Sequence, residues 1–146
     1  MPESGRILGV DYGTRRIGLA VSDSEGQIAF PEGTLESRGA RRDLESLCAL
    51  VKEKGVVGIV VGLPLHMDGR RGPEAEAAEA FGRKLGEATG LPVEMLDERW
   101  TTQEADRALR ESGRKGKKKR QVIDAVAATL LLRTYLERRT RVETRS

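Results

Sequence analysis

The sequence predicts an α/β fold, in which a five-stranded mixed sheet with strands in the order 3-2-1-4-5 carries helices on both faces. Residues 6–35 have the pattern of three strands joined by tight turns, which is typical of an antiparallel meander. Helical and strand patterns alternate after residue 40, and the β-branched run 56–62 is apolar throughout, as in a buried parallel strand. Right-handed crossovers then make the first strand central, with the second strand on one side and the fourth on the other.

The first hairpin contains the position around which the chain is organised. An apolar run, Ile7–Val10, ends on Asp11, residues 12–15 turn the chain, and Arg16–Ser22 returns with apolar side chains at alternate positions. A third strand is predicted at Ile28–Leu35, where Pro31 restricts it to an edge of the sheet. A central strand that ends on a carboxylate requires a partner for Asp11: turn amides, a cation or a metal ion.

The remaining elements follow from helical spacing, caps and stops. Gly55 and Gly90 are expected to end the first two helices, and Thr101–Glu104 is a capping box that opens a third. The predicted bounds are helix 40–54, strand 56–62, helix 73–89, strand 92–96, helix 101–112, basic linker 113–120, helix 121–136 and a frayed tail from about 137.

Length and composition limit the class of protein. The 146 residues predict one domain, 1–146, and the contents of 38% hydrophobic and 34% charged residues are typical of soluble globular chains. No apolar run reaches the ~20 residues of a membrane helix, and we expect no membrane partner. The only cysteine, Cys48, cannot form an internal disulfide and is interpreted as a small core residue. A cytoplasmic location is the default expectation.

Charge is distributed unevenly along the chain. Residues 1–100 hold 13 Lys/Arg and 17 Asp/Glu, a net charge of −4, whereas residues 101–146 hold 13 and 6, a net charge of +7. Such asymmetry indicates a polyanionic partner, and charge alone does not distinguish DNA, RNA and a ribosome surface.

Three acidic residues are candidates for an active site. Asp11 and Glu98 follow strands at the sheet edge where α/β proteins form sites, and Asp124 borders the apolar stripe of the last helix. Asp124 alone could equally be a helix N-terminal acid favoured by the dipole. Three converging carboxylates repel each other, and Mg²⁺ or Mn²⁺ relieves that repulsion. Two such ions ~4 Å apart can activate water and stabilise the leaving oxygen in phosphodiester hydrolysis.

Candidate substrate contacts are cationic or lie in loops. Six cations occupy seven positions at 114–120, which reads as a solvated run or as a phosphate-binding segment beside the Asp124 helix. His66, the only histidine, lies in the loop after the fourth strand and is a candidate for phosphate or sugar contact. With 3% aromatic residues, a base-stacking platform is not expected. The substrate-binding candidates are Arg15, Arg16, His66, Lys117, Lys118, Lys119 and Arg120.

Four blocks of the sequence, in order, resemble the YqgF/RuvX family, which is named both for Holliday junction resolution and for pre-16S rRNA cleavage. They are GVDYGTRRIGLAVSD at 9–23, VVGLPLHMDG at 60–69, LDERWTT at 96–102 and IDAVAATLLL at 123–132. The resemblance implies a ribonuclease H-like fold and an acidic site of Asp11, Glu98 and Asp124. Where the family usually has Asn, this chain has His66.

The position of Glu98 raises a geometric question. In the order 3-2-1-4-5, it follows the strand two places from Asp11, nominally ~10 Å away at the usual strand spacing. The sequence therefore leaves open whether Glu98 reaches the site without metal or substrate, and Asp97 is an alternative ligand.

The leading hypothesis is a metal-dependent nuclease, a hydrolase of phosphodiester bonds with Mg²⁺ or Mn²⁺ as cofactor, in which Asp11, Glu98 and Asp124 are both catalytic and metal-binding. The resemblance favours processing of the 5′ end of pre-16S rRNA in ribosome biogenesis. One alternative is a Holliday junction resolvase acting on branched DNA, for which a homodimer rather than a monomer would be required. Others are a non-catalytic RNA- or ribosome-binding factor and, because DYGTRRIGLAV resembles an ATPase phosphate loop, a nucleotide-binding phosphotransferase.

Overall fold

A computed structural model describes residues 1–2, 4–99 and 116–145, and in the last helix it describes the side chains of residues 124–139. Five strands lie in these ranges: β1 (Arg6–Tyr12), β2 (Arg16–Ser22), β3 (Ala29–Glu36), β4 (Val56–Leu63) and β5 (Val93–Asp97). Three helices accompany them: α1 (Ala40–Lys54), α2 (Pro73–Thr89) and α3 (Gly116–Arg145). The helix predicted at 101–112 lies outside the described residues.

The strands form one sheet in the order β3-β2-β1-β4-β5, which confirms the predicted fold class. β1, β2 and β3 pair antiparallel, whereas β4 pairs parallel with both β1 and β5. Pro31 lies in β3 at the sheet edge, where its missing N–H costs no ladder hydrogen bond. The carboxyl ends of β1, β4 and β5 therefore meet at the same edge of the sheet.

The helices cover the two faces of the sheet and enclose two apolar cores. Leu47 and Val51 of α1, with Phe81 and Leu85 of α2, pack on one face. α3 covers the other face, where five of its side chains are buried against β1, β2 and β4: Ala128, Leu131, Leu132, Tyr135 and Leu136. Cys48 is half-buried rather than a fully buried core residue, because it lies at the margin of the α1 stripe.

The last helix differs in extent from the sequence-based expectation. It begins at Gly116, inside the segment expected to be a linker, and it continues to Arg145 rather than fraying from about residue 137. Lys and Arg have high helix propensity, so a run of cations extends a helix as readily as it forms a linker. Arg139 also donates to the carbonyl oxygens of Pro2 and Gly26, which holds the helix against the start of the chain.

Among the described residues, no helix combines the length and the apolar character needed to cross a bilayer.

Candidate acidic active site

Asp11 lies near the end of β1 and faces α3. The strand alternates, so Leu8 and Val10 enter the core beneath α1 and α2, whereas Ile7 enters the core beneath α3. Asp11 shares the face of Ile7 and stands opposite Gly18 of β2 in the antiparallel register. The alternation thus places one carboxyl group on the face that α3 covers.

Asp124 reaches this face because β2 carries a glycine opposite Asp11. A side chain at Gly18 would overlap the backbone carbonyl of Asp124. Because Gly18 has none, the helix turn that carries Asp124 packs directly on the strand. The charge of Asp124 is close enough to disfavour ionisation of Asp11. Two acidic residues far apart in the sequence therefore lie on the same side of the sheet and within electrostatic range.

Glu98 joins them by crossing β4. Its backbone N–H donates to the carbonyl oxygen of Leu63 at 3.3 Å, which extends the β4–β5 ladder past Asp97. Its carboxyl group lies directly over Gly62, where any side chain would overlap it, and it hydrogen-bonds with Asp11. The missing side chain at Gly62 opens a direct path from Glu98 to Asp11, so the strand spacing does not hold the two carboxyl groups apart.

The two carboxyl groups in contact have strongly altered acidities. Burial raises the pKa of Asp11 to about 6, the charge of Asp124 adds to this rise, and the hydrogen bond from Glu98 opposes it. Burial, the charge of Asp11 and their mutual hydrogen bond raise the pKa of Glu98 to about 9. Near neutral pH, a protonated Glu98 therefore donates to an ionised Asp11, and the pair retains one proton.

The third carboxylate has a different partner. The Nε of Arg16 donates to Oδ2 of Asp124 at 2.7 Å, and both side chains are mostly buried. Arg16 lies on the α3 face of β2, two residues before Gly18, so strand alternation aims it at the same helix turn. From the sequence, Arg16 was expected to contact phosphate, and its ion pair with Asp124 was not predicted.

Asp97 is held away from the cluster by Arg99. The guanidinium of Arg99 contacts Oδ2 of Asp97 at 2.7 Å and 2.9 Å, and these hydrogen bonds hold the pKa of Asp97 below its usual range. Arg99 also donates to the carbonyl oxygen of Met67 at 3.1 Å, which ties the β4–α2 loop to the end of β5. Of the two neighbouring acids, Glu98 is the one that reaches Asp11.

The residues expected to contact substrate lie in three separate parts of the structure. Arg15 is exposed in the β1–β2 turn, where its carbonyl oxygen accepts from the N–H of Ser37. The Nε2 of His66 lies beside Gly72 and Glu74 at the start of α2. The backbone of residues 116–120 forms the beginning of α3, whereas residues 114 and 115 lie outside the described ranges.

The donor set was tested against a divalent cation. Among the residues that the structure describes, no group of three His, Cys, Asp or Glu side chains is arranged around a common ligand position. Asp124 is turned to Arg16, and Asp11 and Glu98 share a proton. The chemistry of the set nevertheless fits a hard cation, because its donors are carboxylate oxygens and a proton already offsets part of their charge.

Two features of the site were missed from the sequence. The first is Gly62, which makes room for Glu98. It could have been noticed in the sequence, because a glycine ends the β-branched run of β4 at the level of Asp11 in the neighbouring strand. Gly18 likewise makes room, because the group that approaches it closely is the backbone of the protein's own helix α3. A further buried acid, Asp43 in the first turn of α1, accepts hydrogen bonds from Ser37 Oγ at 2.5 Å and from the N–H of Arg38.

Solved structures define the fold class. The *T. thermophilus* RuvC structure solved with a Holliday junction substrate aligns with a TM-score of 0.61 over 94% of this chain and 96% of that chain, at 13% identity. The fowlpox virus resolvase solved with Holliday junction DNA aligns with a TM-score of 0.53 over 91% and 97%, at 12% identity. The chain has the ribonuclease H-like fold of RuvC.

Sequence comparison then identifies the family. The sequence model of RuvX, described as "Holliday junction resolvase", matches residues 5–138. A *Moorella thermoacetica* protein named "Putative pre-16S rRNA nuclease" is 48% identical over 133 residues, which cover 91% of this chain and 95% of that protein. A *Chloroflexus aurantiacus* protein of the same name is 45% identical over 133 residues, covering 91% and 87%. The chain belongs to the RuvX family, as the four sequence blocks predicted.

Proposed function

We propose that this protein is a metal-dependent nuclease that hydrolyses phosphodiester bonds in precursor 16S rRNA. The observation that carries the proposal is the buried contact between Asp11 and Glu98, within electrostatic range of Asp124. A protein gains no stability from bringing three acids together, so such a cluster is typical of a site that binds cations. The names of the relatives, which share up to 48% identity, support RNA as the substrate.

Asp11, Glu98 and Asp124 would hold the cation, and Mg²⁺ or Mn²⁺, as one or two ions, suits their oxygen donors. When bound, the metal supplies an activated water and charge stabilisation at the scissile phosphate. The protein's own residues provide the rest. Glu98 would have to release its proton for its carboxylate to hold the cation, and burial of the pair beneath α3 would strengthen its field at the phosphate.

Cations around the sheet edge would hold the substrate backbone. Arg15 is exposed beside the end of β1, and the cationic run at 117–120 leads into the helix turn that carries Asp124. Contacts of this kind bind phosphates without reading sequence, and they weaken as salt rises. A ribosomal precursor particle would also present phosphates to these cations. With such a particle as the substrate, the reaction would take place in the cytoplasm.

A second candidate, cleavage of a four-way DNA junction, is favoured by the description of the family. Junction resolution needs two sites related by symmetry, so it requires a homodimer. The two candidates are best distinguished by direct comparison of substrates.

The test is a cleavage assay with a labelled precursor 16S rRNA fragment and a four-way DNA junction, in Mg²⁺ or Mn²⁺ and in EDTA. We expect metal-dependent cleavage of the RNA. Asp11→Asn should slow it at least ~100-fold, because removing the central carboxylate removes several kcal/mol of transition-state stabilisation. Asp23→Asn, at an exposed turn near the opposite edge of the sheet, is the matched control and should cleave normally.

The outcomes separate the hypotheses. Undiminished cleavage by folded Asp11→Asn would reject the site. Faster cleavage of the junction than of the RNA would favour the resolvase, and RNA binding without cleavage of either substrate would favour a non-catalytic RNA- or ribosome-binding factor.

A further inference from the structure

We infer that Arg16 is a built-in competitor of the metal ion: its guanidinium is paired with Asp124 and must leave before Asp124 can bind a cation. This inference rests on the proposed function, because it assigns Asp124 to a metal site. It adds to that function a residue that determines when Asp124 is free to bind the cation.

The geometry of the ion pair supports this role. Arg16 Nε and Asp124 Oδ2 are 2.7 Å apart, and the two side chains are 29% and 19% exposed, so the pair is largely removed from water. Charge-assisted hydrogen bonds of this length are among the stronger polar contacts in proteins. A cation that takes the same oxygen therefore has to replace an interaction, rather than enter an open position.

The backbone fixes this competition in place. Gly18 brings β2 against the Asp124 turn of α3, and Arg16 lies two residues earlier on the same face of the strand. Arg16 is thus held within reach of Asp124 by strand and helix packing. Asp11 and Glu98 are in contact with each other, whereas Asp124 is paired with the guanidinium of Arg16.

Displacement of Arg16 would release a cation at the edge of the site. A guanidinium freed from Asp124 remains at the start of β2, next in sequence to exposed Arg15, and a substrate phosphate there could accept from it. Phosphate and metal would then favour each other's binding, because each removes the Arg16–Asp124 contact that opposes the other. By thermodynamic linkage, the effect must be equal in both directions.

The test measures Mn²⁺ affinity without substrate, by electron paramagnetic resonance of free Mn²⁺ and by calorimetry. Arg16→Met keeps an apolar stem but removes the competitor, so we expect Mn²⁺ to bind roughly tenfold more tightly than to the wild type. Arg15→Met removes the same charge from the neighbouring residue without breaking the ion pair, and it should change the dissociation constant by less than about twofold.

A double-mutant cycle isolates the interaction. In an Asp124→Asn background, Arg16→Met should no longer tighten Mn²⁺ binding, because its partner is gone. Arg16→Lys retains the charge and is expected to give an intermediate affinity. It also serves as the second test if Arg16→Met does not fold.

The results distinguish this inference from the proposed function. If Mn²⁺ binds folded Arg16→Met no more tightly than the wild type, while Asp124→Asn weakens binding, Arg16 is not a competitor and the proposed function stands. If neither the wild type nor any variant binds Mn²⁺ at the concentrations at which cleavage occurs, the metal site itself is rejected.

Discussion

At the scale of single residues, the main feature of the site is the proton that Asp11 and Glu98 share. Asp11 and Glu98 are buried in contact, which raises the pKa of Asp11 to about 6 and that of Glu98 to about 9. Asp11 could be identified from the sequence because a carboxylate at the end of a buried strand is conspicuous. The ion pair of Arg16 with Asp124 could not, because it depends on which face of β2 meets which turn of α3.

The first prediction concerns the pH dependence of stability in EDTA. Because the folded-state pKa of Glu98 lies above its usual value of 4.5, the folded protein binds more protons than the unfolded chain between about pH 4.5 and about pH 9. Its free energy of unfolding should therefore fall as pH rises through that window. Glu98→Gln removes this titration, so at pH 8 the variant should be more stable than the wild type, by a margin that widens by at most about 1.4 kcal/mol per pH unit.

Urea unfolding at pH 5, 6.5 and 8 measures this difference. The difference between the two proteins should grow with pH, and Glu53→Gln, at an exposed position of α1, should track the wild type throughout. Parallel curves for Glu98→Gln and the wild type would show that Glu98 is not buried with a raised pKa.

At the scale of elements, two glycines on the strands beside β1 assemble the site. Gly18 on β2 admits the backbone of α3, and Gly62 on β4 admits the carboxyl group of Glu98. The strands themselves could be predicted, because their apolar patterns are local. The contact of Glu98 with Asp11 could not be predicted, because strand spacing alone puts the two residues too far apart. Only the packing over β4 shows that the missing side chain at Gly62 leaves room for it. The start of α3 was missed because a cationic run has the same composition in a helix and in a linker.

The second prediction contrasts these glycines. Gly62→Ala meets the end of a flexible side chain, so its unfolding free energy should stay within about 1 kcal/mol of the wild type while RNA cleavage falls at least ~10-fold. Gly18→Ala meets the helix backbone, which cannot move without repacking, and should destabilise the protein by about 2–3 kcal/mol. Urea unfolding and the cleavage assay measure both. A folded Gly62→Ala protein with wild-type cleavage would contradict the account of Glu98.

At the scale of the whole molecule, the fold joins the acidic and basic parts of the chain. β1 and β5 bring Asp11 and Glu98 from a body of net charge −4 over residues 1–100, and α3 brings Asp124 from the C-terminal segment of net charge +7. The charge asymmetry was evident in the sequence. The helical pattern also predicted an apolar stripe on α3. The structure shows that this stripe packs across β1, β2 and β4, and this packing places Asp124 at the acidic edge of the sheet.

Anomalous scattering from Mn²⁺ in crystals of this protein tests the acidic metal site most directly. We expect an anomalous peak within bonding distance of carboxylate oxygens of Asp11, Glu98 and Asp124, at about 2.1–2.2 Å as expected for a hard divalent cation slightly larger than Mg²⁺, with Arg16 turned away from Asp124. A Mn²⁺ peak elsewhere, with the Asp11–Glu98 and Arg16–Asp124 contacts unchanged at saturating metal, would contradict it.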